Sequence, residues 1–162
     1  MATIEKFLGK RVEVPQDRRY HLKQGLWAKK TDNAIVFGFS QPALVLMGGI
    51  KDIDWLVEDG ANVISGDSIV FAITGKILYI DAPIGGRIRY NKANQEELTQ
   101  ISDDPYGQGW LFMIHPQGNI EEAYMSMTSP ENYLKSLQAT EGLKNPEGLK
   151  GGVSGICKAV YT

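Results

Sequence analysis

Between Ser68 and Arg87 the chain reads SIVFAITGKILYIDAPIGGR: two β-branched and aromatic runs, Ile69–Thr74 and Ile77–Asp81, pinched around Gly75-Lys76. Short runs of that composition on either side of a glycine turn predict an antiparallel hairpin. Gly75 supplies the positive φ that a type II′ turn demands at its first central position. Lys76 is then exposed at the tip, a position from which a protein can carry a covalent swinging arm. Ala82-Pro83-Ile84-Gly85-Gly86 follows as a turn, without the strand–glycine–helix context of a phosphate loop.

The rest of the chain repeats this strand-and-turn grammar. Leu26–Ala28 and Ala34–Phe39 flank a polar turn and predict a second hairpin. Ser40 caps a short helix over Gln41–Met47, with Pro42 early in its first turn and Gly48-Gly49 stopping it. Ile50, Ile53, Trp55 and Val57 have strand spacing, Val63-Ile64 and Arg87–Tyr90 give short strands, and Trp110–Ile114 gives a last buried strand ended by Pro116. Short strands punctuated by glycine turns argue for a compact all-β barrel or sandwich. Glu96–Ile101 is expected to form a helical turn. From Ile120 the pattern turns helical, with Ser129 capping and Pro130 opening a C-terminal helix that carries Tyr133, Leu134 and Leu137. At the N-terminus, Ile4, Phe7 and Leu8 share one helical face and predict a short helix, followed by an extended lead-in to Pro15. Residues 141–155, rich in glycine, are expected to be a mobile, solvated tail.

Composition excludes several classes of function. A net charge of −2 with interspersed signs offers no basic stripe to a nucleic acid and no polybasic patch to a membrane. No stretch approaches the ~20 apolar residues of a membrane span, and the N-terminus lacks a secretory h-region. The single cysteine, Cys157, rules out an internal disulfide within this chain and fits a reducing cytosol. His21 and His115 have no ligand at metal spacing and read as structural. Ser154 and Cys157 have no histidine near them in sequence, so no nucleophile constellation stands out and no intrinsic enzyme is expected.

Five segments, in order, resemble the glycine cleavage system H protein family. Asp103–Leu111, DDPYGQGWL, is similar to that family's "EDPYGEGWL"; Tyr20–Trp27 resembles "YTKEHEWV", with Gln24-Gly25-Leu26 in place of the usual pair. Gly38–Met47 with Gly49–Ile53 resembles the helix and strand of "GITDYAQEQLGDIVFVELP". Ala82–Ile88 resembles "APVSGEV", and Tyr133–Leu137 sits where the family has "AYEALL". The resemblance covers roughly residues 20–137. It implies a mainly β fold, a lipoyl-domain-like barrel-sandwich hybrid with short helices. The expected organisation is a lead-in over 1–19, the lipoyl-type domain over 20–140 and a glycine-rich tail over 141–162. By the same resemblance Asp103, Asp104 and Tyr106 belong to a structural turn and Trp110 to the core.

The family also implies a non-catalytic carrier with lipoate on a hairpin lysine. Its arm takes an aminomethyl group from glycine decarboxylase to aminomethyltransferase and is reoxidised by dihydrolipoyl dehydrogenase. The lysine lies in "ESVKAVSDVYAP". Counted back from Ala82-Pro83 without a gap, that lysine falls on Gly75 and the glutamate three before it on Ala72. With one residue deleted after the turn, they fall on Lys76 and Ile73. Lys76 is therefore the candidate attachment site, and in neither register does an acid precede the turn. Two other readings stay open: an H-like binding module without the arm, docking through the glycine-rich tail or the apolar hairpin face of Phe71, Ile73, Ile77, Leu78 and Tyr79, and a lipoyl carrier for another redox or sulfur-handling complex.

Overall fold

The computed structural model describes residues 1–149. It opens with a hairpin of β1 (Ala2–Phe7) and β2 (Lys10–Val14), then runs through β3 (Arg19–His21), β4 (Leu26–Lys30) and β5 (Ile35–Phe39) into helix α1 (Gln41–Met47). β6 (Asp52–Trp55), β7 (Asn62–Val63), β8 (Ser68–Ile73), β9 (Ile77–Asp81) and β10 (Gly86–Tyr90) follow. After the short helices α2 (Ala93–Glu96) and α3 (Gln100–Asp103) come β11 (Phe112–His115), α4 (Ile120–Met125), α5 (Pro130–Ser136) and, past a 3-10 turn, α6 (Glu141–Lys144). A six-stranded sheet has the order β3-β4-β5-β11-β10-β7, a three-stranded sheet the order β6-β8-β9, and β1-β2 stand as a separate ribbon.

One hydrophobic core is shared by the two larger sheets. Leu26, Ile35, Phe37, Ile88, Phe112 and Ile114 come from the six-stranded sheet; Ile69, Val70 and Ile80 meet them from the three-stranded one. Two consecutive residues of β8, Ile69 and Val70, are both buried because the β8–β9 register shifts between Ser68 and Val70. Such a bulge turns a side chain inward that strict alternation would send to solvent. Helix α1 closes one end as its sequence dictates: the Ser40 hydroxyl accepts the Ala43 N–H at 3.2 Å, and Gly48 ends the helix in the left-handed conformation.

A second cluster joins Phe7, Val12 and Val14 of the ribbon to Tyr20, Trp27, Tyr133 and Leu137. Tyr20 and Tyr133 stack at 4.4 Å, and buried Arg18 lies 4.7 Å from the Trp27 ring. The DDPYGQGW segment locks onto this cluster. Trp27 Nε1 donates to the Pro105 carbonyl at 2.8 Å, and the Tyr106 hydroxyl accepts the Gln41 N–H while donating to the Glu13 carbonyl. The Asp104 carboxylate accepts the Gln108 N–H at 2.8 Å. The structural role expected for Asp104 and Tyr106 is thus the observed one, while Trp110 is half-buried against the same cluster.

Three local expectations are corrected. The N-terminal helix is a β-hairpin, whose turn residues Leu8 and Gly9 both have positive φ, 52° and 82°, as a type I′ turn requires. A bulge between Ile4 and Phe7 lets residues three apart both pack inward, which imitates helical spacing. The segment after Thr140 is docked where it is described: Leu8 N–H donates to the Gly142 carbonyl at 3.0 Å, Gly9 N–H to Pro146 at 2.7 Å, and Lys6 pairs with Glu147 at 2.8 Å. Its glycines serve close approach, since a Cβ at Gly142 would lie 2.1 Å from the Phe7 ring. The remainder of that tail, with Ser154 and Cys157, lies outside the described residues. Finally, the helical turn expected over Glu96–Ile101 is divided between α2 and α3, with Glu97–Thr99 between them.

Candidate functional site: the β8–β9 hairpin

Cross-strand pairs run from Val70–Ile80 through Phe71–Tyr79 and Ala72–Leu78 to Ile73–Ile77, so Thr74, Gly75 and Lys76 form the link. This corrects the expected two-residue type II′ turn, and Gly75 is not among the glycines with positive φ. Buried Thr74 sets the turn instead. Its N–H donates to the Lys76 carbonyl at 2.8 Å, and its hydroxyl bridges the Lys76 backbone at 3.2 and 3.3 Å. A fixed Thr74 leaves Gly75 and Lys76 as the exposed apex. No hydrogen bond or ion pair engages the Lys76 amine among the described residues, and a Cβ on Gly75 would meet nothing within 4 Å. Between the Ser68–Asp81 and Ile73–Ile77 pairs, the bulge gives β8 one residue more than β9. The six residues of β8 thereby pair with the five of β9 while Val70, Ala72 and Ile80 keep their inward face.

The hairpin has two unlike faces. Ala72, Val70 and Ile80 pack inward; Phe71, Ile73, Ile77 and Tyr79 form an outer stripe, where Ile77 is 56% and Tyr79 61% exposed. The Phe71 and Tyr79 rings lie 6.0 Å apart, and by register Asp52 and Asp54 of β6 flank the stripe. Leu78, expected on this patch, is half-buried on the opposite face. Beside β9 runs a groove of ≈ 550 Å³ reaching from Lys76 past Leu78, Leu46 and Met47 to Tyr133 and Leu137. Its Tyr133 hydroxyl is hydrogen-bonded to Ser40, and burial pushes its pKa up to about 12, so it stays protonated at neutral pH. Gln24, which family likeness marks only as a departure, ties the groove to β9. Its side-chain amide donates to the Asp81 carbonyl at 2.9 Å and accepts the Asp81 N–H at 2.7 Å.

Burial, reinforced by nearby Lys23, holds the His21 imidazole below its usual pKa, in keeping with a structural role. Among the described residues no cluster of three or more His, Cys, Asp or Glu could hold a metal, and no helix is long and apolar enough to cross a membrane.

A β-sandwich that projects one unencumbered lysine on a pinned hairpin has the form of a carrier. The chain belongs to the glycine cleavage H-protein family, whose model matches residues 18–140. It is 34% identical over 127 residues to the glycine cleavage system H protein of Pseudoalteromonas atlantica, covering 77% of this chain and 96% of that one. The Stenotrophomonas maltophilia H protein is 30% identical over 129 residues, 78% of this chain and 95% of the relative. The crystal structure of a glycine cleavage system H protein from Mycobacterium marinum superposes with a TM-score of 0.62 at 25% identity, over 75% of this chain and 97% of that one. Proteins of this family are non-catalytic lipoyl carriers, and the observed sheet-rich fold with short helices is theirs. The β1–β2 ribbon and α6 lie outside the family match.

Proposed function

We propose that this chain is a lipoyl carrier of a glycine cleavage system, its arm joined by an amide to Nζ of Lys76. The observation that carries the reading is the apex itself, where Thr74 holds the turn from within and Lys76 reaches solvent, its amine engaged by none of the described residues. When attached, the lipoyl group supplies the sulfur chemistry that carries an aminomethyl group between enzymes. The chain's own residues hold and present that group: Thr74 fixes the apex, Gly75 leaves room for a ligase to approach, and the bulged ladder keeps the tip rigid on the core. Tethering places the arm before each active site at a high effective concentration, which is why a carrier needs no catalytic groups. The partners are glycine decarboxylase, aminomethyltransferase and dihydrolipoyl dehydrogenase in the cytoplasm, and residues 20–140 form the carrier domain, with 1–19 and the segment from 141 as additions to it.

The test is a reconstituted system. After treatment with lipoate and a lipoate ligase, the chain is expected to support glycine-dependent NAD reduction by the three enzymes, and the untreated chain is not. A lipoylated chain that stays inactive where the P. atlantica H protein turns over would overturn the glycine cleavage assignment.

A further inference from the structure

We propose that the open edge of β9 docks an extended backbone segment of an enzyme that receives the arm, the segment joining the β6-β8-β9 sheet as a fourth strand. The inference rests on the carrier reading and adds which surface the enzymes grip. Among the described residues β9 pairs with β8 on one side only. The Thr74 to Lys76 backbone bond fixes the alternation of the ladder, so Leu78 and Ile80 direct their N–H and C=O groups toward β8. Those of Ile77, Tyr79 and Asp81 point away from it. Asp81 shows the consequence, since both of its outward groups are taken by the Gln24 amide, which imitates the peptide unit of a neighbouring strand. Gln24 therefore closes the edge at one end. The two N–H and two C=O groups of Ile77 and Tyr79 receive no such cover from the described residues.

Exposed strand edges are commonly blunted by a charge, a proline or a bulge that twists them away. Ile77-Leu78-Tyr79-Ile80 contains neither a charge nor a proline, and its two outward side chains are more than half exposed. An incoming strand extends both faces of the hairpin at once. Its alternate side chains continue the Phe71–Tyr79 and Ile73–Ile77 stripe on one side and enter the groove against Leu78, Leu46 and Met47 on the other. Once Lys76 is acylated, Lys23 is the cation left along that groove among the described residues. The segment that fits is extended, apolar at alternate positions, and carries a carboxylate toward Lys23. Seated there, it lies directly beside the apex, so docking delivers the arm.

The test measures the affinity of the lipoylated chain for glycine decarboxylase, aminomethyltransferase and dihydrolipoyl dehydrogenase, comparing wild type with Tyr79→Pro and Tyr79→Ala. The Tyr79 N–H faces away from β8, so proline removes it without breaking the ladder, whereas alanine removes the ring and keeps the N–H. We expect Tyr79→Pro to weaken binding to at least one enzyme by about tenfold or more, the consequence of leaving a partner carbonyl unpaired, and Tyr79→Ala to cost less. Wild-type hydrogen exchange gives a second reading that no misfolded variant can confuse: the Ile77 and Tyr79 amides should become protected in the complex. Equal losses in both variants, or amides that exchange as fast in the complex as in the free chain, would overturn edge docking. Wild type that binds none of the three enzymes would overturn the carrier reading and this inference with it.

Discussion

Lys76→Arg is expected to abolish lipoylation and, with it, all aminomethyl transfer, while leaving thermal unfolding where it is in the wild type. The substitution keeps the positive charge and most of the side chain's length, but a guanidinium does not form the amide that a lysine amine forms. Stability should hold because the Lys76 side chain has no partner to lose among the described residues, and substitutions at such surface positions stay within about 0.5 kcal/mol. The turn should persist as well, since Thr74 binds the backbone of residue 76 and not its side chain. Paired assays of transfer and thermal unfolding check this. Residual transfer in the variant would place the arm elsewhere, and a large drop in melting temperature would give Lys76 a structural duty that the geometry does not show.

Phe112→Ala should act in the opposite way, on the fold. Phe112 is fully buried, stacks on Phe37 at 5.1 Å and lies perpendicular to the Trp55 ring at 6.3 Å. It sits at the middle of the six-stranded sheet, where β11 links β5 to β10, with its side chain in the core that the hairpin sheet shares. Truncating a buried phenylalanine to alanine costs about 3–5 kcal/mol through lost contacts and the cavity left behind. Against a total stability of about 5–15 kcal/mol this is a large fraction. Urea unfolding should show a midpoint shifted strongly downward with the slope nearly unchanged. A shift corresponding to less than about 1 kcal/mol would mean that the core collapses around the gap or is packed elsewhere.

What could be read from sequence, and what could not, follows from the range of the interactions involved. α1 was legible because its signals are local: Ser40, Pro42 and Gly48 act within a few residues of the helix they bound. The central hairpin was legible from composition, yet its turn type was not. Thr74, which reads as the last residue of a strand, turns back to bind the Lys76 backbone and relieves Gly75 of the positive φ assigned to it. At the N-terminus, the bulge between Ile4 and Phe7 produced a spacing that suits a helix equally well. In the segment after Thr140, glycine marks contact and not freedom, Gly142 against Phe7 and Gly148 against Leu8, and composition alone does not distinguish the two. The Gln24–Asp81 tie joins residues 57 apart, and no local pattern announces it.

These distinctions bear on the site. Placement of Lys76 at an exposed tip followed from the sequence, whereas the position of the bulge that pairs the six residues of β8 with the five of β9 did not. A bulge leaves no reliable trace in composition, because its extra residue, Ile69, is as apolar as its neighbours. The apolar character of the hairpin is legible in the sequence, and the structure sorts its members: Phe71, Ile73, Ile77 and Tyr79 share the outer face, while Leu78 turns to the groove.

Attachment of the arm at Lys76 is measured most directly by the intact mass of the wild-type chain after reaction with lipoate and a lipoate ligase, followed by peptide mapping of the modified product. One lipoyl increment is expected, confined to the peptide that contains Lys76. An unmodified mass under conditions that lipoylate the P. atlantica H protein, or an increment mapped to any other lysine, would contradict it.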